Sequence, residues 1–370
     1  MIAKNRLREL DFLRGIAILL VLFRHQYLFG FTERMGWIGV DLFFVLSGFL
    51  VSGLLFKEFQ RYGSIKPKLF LIRRGFKIYP IYFLFYGLYL LPILIKRQFN
   101  LTGFLSDMFF VQNYVWGWGY AYAPSWSLAV EEHFYFGFAL LVLFGIRYRF
   151  FRFEKHETNS DISRFEILIA VVMGICLVLR IISNTAFPNE IARNITMTHL
   201  RIDSLLAGVM VSYWYHFRRE MLMGFVNANK KMLLLFALAL VSFAPFMDIN
   251  SSFFVKTTGF TFLYIGFGIL LAWFLADEKI NARLTKTFSD PVVNLVSKIG
   301  FASYSIYIIH TFVNNAFATA VAILLKQQLN PAISFVVTSA ISIACGLLMT
   351  QYIEKYFLSL RDKYYPARVN

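Results

Sequence analysis

The residues able to do chemistry lie inside the most apolar parts of this chain. Asp11 to Tyr27 reads DFLRGIAILLVLFRHQY and carries Arg14, Arg24 and His25. Arg14 and His25 are eleven positions apart. At 100° per residue that is about 1100°, roughly 20° from alignment, so both fall on one helix face. The rise between them is about 16 Å, roughly half of a hydrocarbon core. They cannot touch, but they can line one passage at two depths. Ionisable groups within a span are costly and face a bundle interior or a wet cavity.

A second stripe lies in SWSLAVEEHFYF, where Ser127, Glu131 and Tyr135 recur at i, i+4 and i+8. Glu132 and His133 point about 100° and 200° away from it, so Glu131 is preferred over Glu132. Helix rise places His25 about 20 Å from the inner face, level with Glu131 and Glu132 at about 8–9 Å below the outer one. Arg201, Asp203, Asp41 and Arg180 fall near the same depth, which predicts a convergence of charge. A neutral His25 backed by a carboxylate can take a proton from an alcohol. Ser127, Tyr135, Arg24, Asp203, Arg201 and Asp41 are candidates to support that step or steady an oxyanion. The structural alternative is ion pairing between helices, Arg201 with Asp203 or Arg180 with Glu132. Tyr304, Tyr307 and His310 form a further stripe, open to proton relay or to ordinary interhelical bonding.

At 66–80 the chain reads KPKLFLIRRGFKIYP. Lys66, Lys68, Arg73, Arg74 and Lys77 suit lipid phosphate or a bound polyanion, such as a nucleotide-bearing acyl carrier. The stretch 96–125 is rich in Trp, Tyr and Gly. Trp116, Trp118, Tyr120 and Trp126 suit either an interfacial aromatic belt or a platform for the apolar faces of a sugar. Cys176 and Cys345 both fall in apolar runs and offer too few ligands for a metal, so none is expected.

These groups need a membrane-spanning frame. The 370 residues are 58% hydrophobic and 19% aromatic, beyond the range of a soluble domain. Net charge is +16, but the basic residues sit between apolar runs, which argues for cytoplasmic loops and not for nucleic acid. Ten spans are expected, near 11–31, 37–56, 78–95, 126–146, 165–183, 199–217, 232–247, 257–276, 301–325 and 332–353. The N-terminus, the even-numbered connections and the C-terminal tail hold 27 Lys and Arg, the odd-numbered connections 6. Both termini are therefore expected in the cytoplasm. The N-terminal run carries Arg24 and His25, so it is read as a span, not a cleaved signal. The expectation is one all-α membrane domain over 1–370, without an appended soluble domain.

LDFLRGIAILLVLFRH, GVDLFFVLSGFL, FLIRRGFKIYP, SWSLAVEEHFYF, LRIDSLLAG and ASYSIYIIH follow in the order of the acyltransferase-3 family. The resemblance runs from Leu10 to about His310. It implies a multi-pass protein of the bacterial cytoplasmic membrane. Such a protein would move an acyl group, foremost acetyl, from acyl-CoA to a hydroxyl of a surface glycan or its lipid-linked precursor. By position, His25 resembles the catalytic histidine, Arg14 the donor-side arginine, and Ser127, Glu131 and Tyr135 the family's stripe. Arg73, Arg74 and Lys77 resemble its basic stretch, with Arg14 completing the acyl-CoA set. Lys77 stands where arginine is more usual, which keeps the charge and loses the bidentate fork. The Arg14–His25 rise is of the order of a phosphopantetheine arm, so a nucleotide at the basic stretch can present its thioester near His25. His25 as general base and His25 as acyl carrier are equally compatible. The rival class is a proton-coupled carrier with a buried His/Glu/Arg track. Against it, the two halves show no inverted repeat and no matching Gly/Pro-broken spans.

Overall fold

The computed structural model describes residues 7–26, 28–151, 153, 162–326 and 329–368, and these contain helices and no strand. In chain order the helices are α1 (Arg8–His25), α2 (Gly30–Gly36), α3 (Ile38–Tyr62), α4 (Pro67–Ile95), α5 (Leu101–Met108) and α6 (Gln112–Val115). Next come α7 (Trp126–Arg147), α8 (Arg164–Ala186), α9 (Ile191–Thr196), α10 (Ile202–Phe217), α11 (Arg219–Ala228) and α12 (Lys230–Val241). The last six are α13 (Phe260–Ala276), α14 (Ile280–Phe288), α15 (Asp290–Phe301), α16 (Ser303–Leu325), α17 (Pro331–Met349) and α18 (Lys355–Tyr364).

Among the described residues, seven helical stretches are long and apolar enough to cross a membrane, or eight if α11 and α12, bent by 86°, count as one span. Expected spans 1 and 6 fall on α1 and α10. The first is 18 residues long and holds Arg8, Glu9, Asp11, Arg14 and Arg24; the second has 16 residues. Both are largely buried by neighbouring helices, which shelter their charges. Helix α1 stops at His25, and Gly30 opens α2, so the run expected over 11–31 is shorter. Helix α8 shows the opposite pattern. Ile167, Val171, Ile175, Val178 and Ile182 form one exposed apolar face, as suits contact with lipid.

Close backbone approach fixes the central helices. A Cβ at Gly48 of α3 would lie 1.9 Å from the Leu205 carbonyl oxygen, and one at Gly208 of α10 would lie 2.0 Å from that of Val45. Small residues let helices pack this tightly where no water drives association. Two apolar cores result. One surrounds Phe56, Phe138, Phe165 and Tyr213; the other surrounds Ile18, Tyr82, Tyr122 and Ile306. Val40, Phe43 and Tyr304 pack against both, and the candidate site lies along this seam.

Candidate active site

Helices α1, α3, α4, α7 and α16 line a partly open chamber of about 130 Å³. Arg14, Arg74, Lys77, Ser127, Glu131 and Tyr135 all line it, so side chains from three separate sequence stretches meet there. The i, i+4, i+8 stripe of α7 faces the chamber as its spacing requires. Tyr135 donates to Glu131 Oε2 at 2.9 Å, and Ser47 Oγ lies 2.9 Å from the Tyr135 oxygen. Tyr135 has one proton, and Glu131 receives it, so Ser47 must donate to Tyr135. The Arg74 guanidinium stands 5.5 Å from the Tyr135 ring centroid, a cation–π distance. Arg14 donates to Ser303 Oγ at 3.0 Å and lies 3.7 Å from Asp11.

Glu132 and His133 serve other neighbours. Glu132 accepts from Tyr79 at 2.8 Å, and His133 Nδ1 lies 2.7 Å from Thr198 Oγ1. Neither lines the chamber.

Arg74 and Lys77 also line a second cavity of about 370 Å³. Lys57, Arg73, Arg361 and Arg368 complete a set of six basic side chains there among the described lining residues, with Glu58 as the carboxylate beside them. Arg361 comes from α18 and Arg368 from the segment after it, so the end of the chain closes over the basic stretch of α4. Carboxylates hold this vestibule together. Arg73 meets Asp362 at 3.0 Å, Arg361 meets the same residue at 2.8 Å, Arg368 meets Glu58 at 2.7 Å and Lys77 meets Glu354 at 3.6 Å. Arg73 also donates to the Tyr365 carbonyl. Arg74 differs, since it makes no ion pair with a described residue and its buried Nε has no hydrogen-bond partner.

Ser127 and Tyr307 also line the chamber, with their oxygens 2.7 Å apart. Both hydroxyls reach the Pro124 carbonyl, at 3.1 and 2.9 Å. His310 packs against Tyr307, with ring centroids 5.6 Å apart, and against His25 at 4.9 Å, and neither histidine lines the chamber. His25 is the last residue of α1 and is exposed; it does not line the chamber and makes no hydrogen bond to Glu131. Arg24 beside it is half-buried.

The other expected members of the charge cluster lie elsewhere. Arg201 pairs with Asp41 at 2.6 Å, and Arg180 pairs with Asp203 at 2.7 Å, all four at 1% exposure or less. Arg201 also sits 3.7 Å from the Phe260 ring centroid and 5.5 Å from that of Trp126. The pairing differs from either combination the sequence suggests, Arg201 with Asp203 or Arg180 with Glu132. Depth along a helix places these groups at one level but does not give their direction around the bundle. None of the four lines the chamber.

The aromatic stretch is organised by a carboxylate that the sequence reading passes over. Asp107 is fully buried and accepts from Tyr86 at 2.9 Å and from the backbone of Tyr120 and Ala121 at 3.0 and 2.9 Å. Burial pushes its pKa above the ordinary carboxylate range, and these hydrogen bonds oppose the shift. Trp116 is exposed and packs edge-on against Tyr120, while Trp118 packs edge-on against the buried Trp126. The four candidate acceptor residues therefore do not form one open face.

Ser47, Ser303, Lys57, Arg361 and Arg368 join the site without having been singled out in the sequence. Ser47 is an isolated polar position in an apolar helix, while Ser303 opens α16 beside Tyr304 and Ser305 and has no distinct signal of its own. The two arginines carry no local signal, because only the fold brings the C-terminal segment to α4.

Among curated proteins, the peptidoglycan O-acetyltransferase OatA of Listeria monocytogenes is 26% identical over 326 residues, covering 82% of this chain and 48% of its own length. The O-acetyltransferase OatA of Staphylococcus aureus (strain NCTC 8325 / PS 47) is 26% identical over 341 residues, 85% of this chain and 52% of its own length. The chain thus spans about half the length of the curated relatives it matches. No solved structure gives a significant match. The family model described as an acyltransferase domain matches residues 7–351, which makes the chain a member of the acyltransferase-3 family.

Proposed function

We propose that this chain is a membrane O-acyltransferase that takes an acyl group, foremost acetyl, from cytoplasmic acyl-CoA. The acceptor is a hydroxyl of a surface glycan or its lipid-linked precursor, reached from the other face of the bacterial cytoplasmic membrane. The observation that carries this reading is that the basic vestibule and the chamber faced by Glu131 share Arg74 and Lys77. A donor with a phosphorylated head and a thin neutral arm matches that sequence of environments. Arginine forks suit the phosphates, and Arg14 lines the chamber with Arg74 and Lys77, as a donor-side role needs.

In this reading His25 takes the proton of the acceptor hydroxyl, and the oxygen attacks the thioester carbonyl. The C–S bond breaks, and the thiolate leaves with the proton returned by the imidazolium. Acylation of His25 first, followed by transfer to the acceptor, uses the same groups in two steps. Glu131 lines the chamber and His25 does not, so in this reading turnover requires a rearrangement that lets the thioester reach His25, for which the Ser127–Tyr307 seam is the candidate. Ser127, Tyr135 and Arg24 are the groups available to the developing oxyanion; Asp41, Arg201 and Asp203 instead hold helices together.

Acetyl-CoA binding and hydrolysis by purified wild type, His25→Ala and Arg14→Ala test this. The expected result is binding with slow release of free CoA by wild type. His25→Ala should bind without turnover, and Arg14→Ala should bind more weakly. A wild-type protein that ignores acetyl-CoA overturns the donor assignment and returns the carrier reading.

A further inference from the structure

The His25–His310 pair contains an unused lone pair. His310 of α16 is fully buried. Its Nδ1 lies 2.6 Å from the Tyr307 carbonyl oxygen. A carbonyl only accepts, so Nδ1 carries the hydrogen, and in the neutral ring Nε2 is left as a bare acceptor. That Nε2 is buried and has no hydrogen-bond partner among the described residues, His25 included. The neighbouring ring is His25, at 4.9 Å between centroids with the planes inclined by 59°. Two imidazoles joined by an N–H···N bond have centroids about 5 Å apart, given a donor–acceptor distance of about 3 Å. The next turn of α16 holds the same residue by its backbone, since Asn314 Nδ2 reaches the His25 carbonyl at 3.4 Å.

The geometry points to His310 as a positioning residue for His25. This rests on the reading of His25 as the base or acyl carrier given above. The rings are in contact but not bonded in this structure. Once the contact closes, His310 Nε2 accepts the N–H of one His25 nitrogen, which leaves the other His25 nitrogen with its lone pair toward the acceptor. When His25 takes the acceptor's proton, the cation is shared along the N–H···N contact, and the proton later passes to the leaving thiolate. No proton is lost or gained over the cycle. The arrangement parallels a carboxylate–histidine pair, but both partners are neutral at rest. In a membrane interior a neutral acceptor avoids the desolvation of a fixed charge. It also explains why Glu131 need not touch His25.

Histidine ¹⁵N NMR on the full chain in nanodiscs tests the pairing without any donor or acceptor present. The expected wild-type spectrum has His310 protonated at Nδ1 and bare at Nε2, with the Nε2 signal shifted by His25→Ala. In His310→Phe, His25 should relax to a mixture of tautomers. In parallel, His310→Phe should lower turnover on the order of 10²-fold with acetyl-CoA affinity unchanged. His310→Gln, whose amide oxygen can accept the same N–H, should recover to within roughly 10-fold of wild type. A wild-type His310 protonated at Nε2, or a His25 tautomer indifferent to residue 310, overturns the inference. So does a His310→Gln protein as impaired as His310→Phe. If wild type turns over no acyl-CoA, the donor reading fails, and the spectra still decide whether the rings are paired.

Discussion

Tyr307 holds its hydroxyl oxygen 2.7 Å from Ser127 Oγ while its carbonyl accepts from His310, so one residue touches both the chamber and the histidine pair. At the seam the two hydroxyls meet each other and the Pro124 carbonyl, while the Tyr307 ring packs within the second apolar core. The Tyr307 hydroxyl makes two of the seam's contacts, to Ser127 and to the Pro124 carbonyl, and each ordinary hydrogen bond is worth about 0.5–1.5 kcal/mol net. Tyr307→Phe keeps the ring and removes both. The expected outcome is a several-fold rise in acetyl-CoA hydrolysis relative to transfer, because water and thioester meet without the acceptor in place. An unchanged ratio of hydrolysis to transfer would show that the seam is no barrier.

Glu131 and Glu132 are neighbours in sequence with different surroundings. Glu131 ends a donor chain from Ser47 through Tyr135 and faces the chamber; Glu132 is held by Tyr79 outside it. Glu131→Gln keeps an acceptor for Tyr135 and removes the charge. Turnover is expected to fall on the order of 10²-fold, with Glu132→Gln within about 10-fold of wild type. Steady-state kinetics on the two variants decide the matter, and equal losses would remove the distinction drawn from helical periodicity.

That distinction was legible in the sequence because it depends on one helix alone. Ser127, Glu131 and Tyr135 share a face through i, i+4 spacing, and no tertiary knowledge is needed to say so. The long apolar runs of α3, α4, α7, α8, α13, α16 and α17 were legible for the same reason. The predicted convergence of His25, Glu131, Asp41, Arg201, Asp203 and Arg180 was a statement about depth. Contact also depends on azimuth around the bundle, which is set by which helices neighbour one another. Gly48 and Gly208 press α3 against α10, and this sends Asp41 and Arg201 toward each other and away from the chamber. The vestibule was half legible. Arg73, Arg74 and Lys77 announce themselves as a cluster, whereas Arg361 and Arg368 come from nearly three hundred residues further along.

The buried pairs give a prediction that separates architecture from chemistry. Removing one partner of a buried ion pair leaves an uncompensated charge and costs about 3–5 kcal/mol. Asp203→Ala strands Arg180, and Asp41→Ala strands Arg201. Both variants are expected to lower the thermal unfolding midpoint of the detergent-solubilised protein. His25→Ala should leave it close to wild type, because His25 is exposed at the end of its helix. Stable, inactive Asp41 and Asp203 variants would return these residues to the catalytic set.

The C-terminal arginines give the last prediction. Arg361 and Arg368 lie beyond residue 351, where the family match stops, yet they line the same vestibule as Arg73 and Arg74. Each is already paired with a carboxylate, Asp362 or Glu58, so the resting vestibule satisfies its cations with groups of the charge and geometry that a phosphate presents. A donor phosphate then exchanges one anion for another and need not order flexible side chains. Charge-assisted hydrogen bonds are worth roughly 1.5–3 kcal/mol, less where solvent reaches them. Arg361→Ala and Arg368→Ala should therefore each weaken acetyl-CoA binding by about 10-fold with kcat nearly unchanged. Asp362→Asn, which frees two arginines, should tighten it. Calorimetry at two ionic strengths is the check, since the losses should shrink as salt screens the vestibule. Binding that ignores all three substitutions would place the donor's phosphates elsewhere on the basic face.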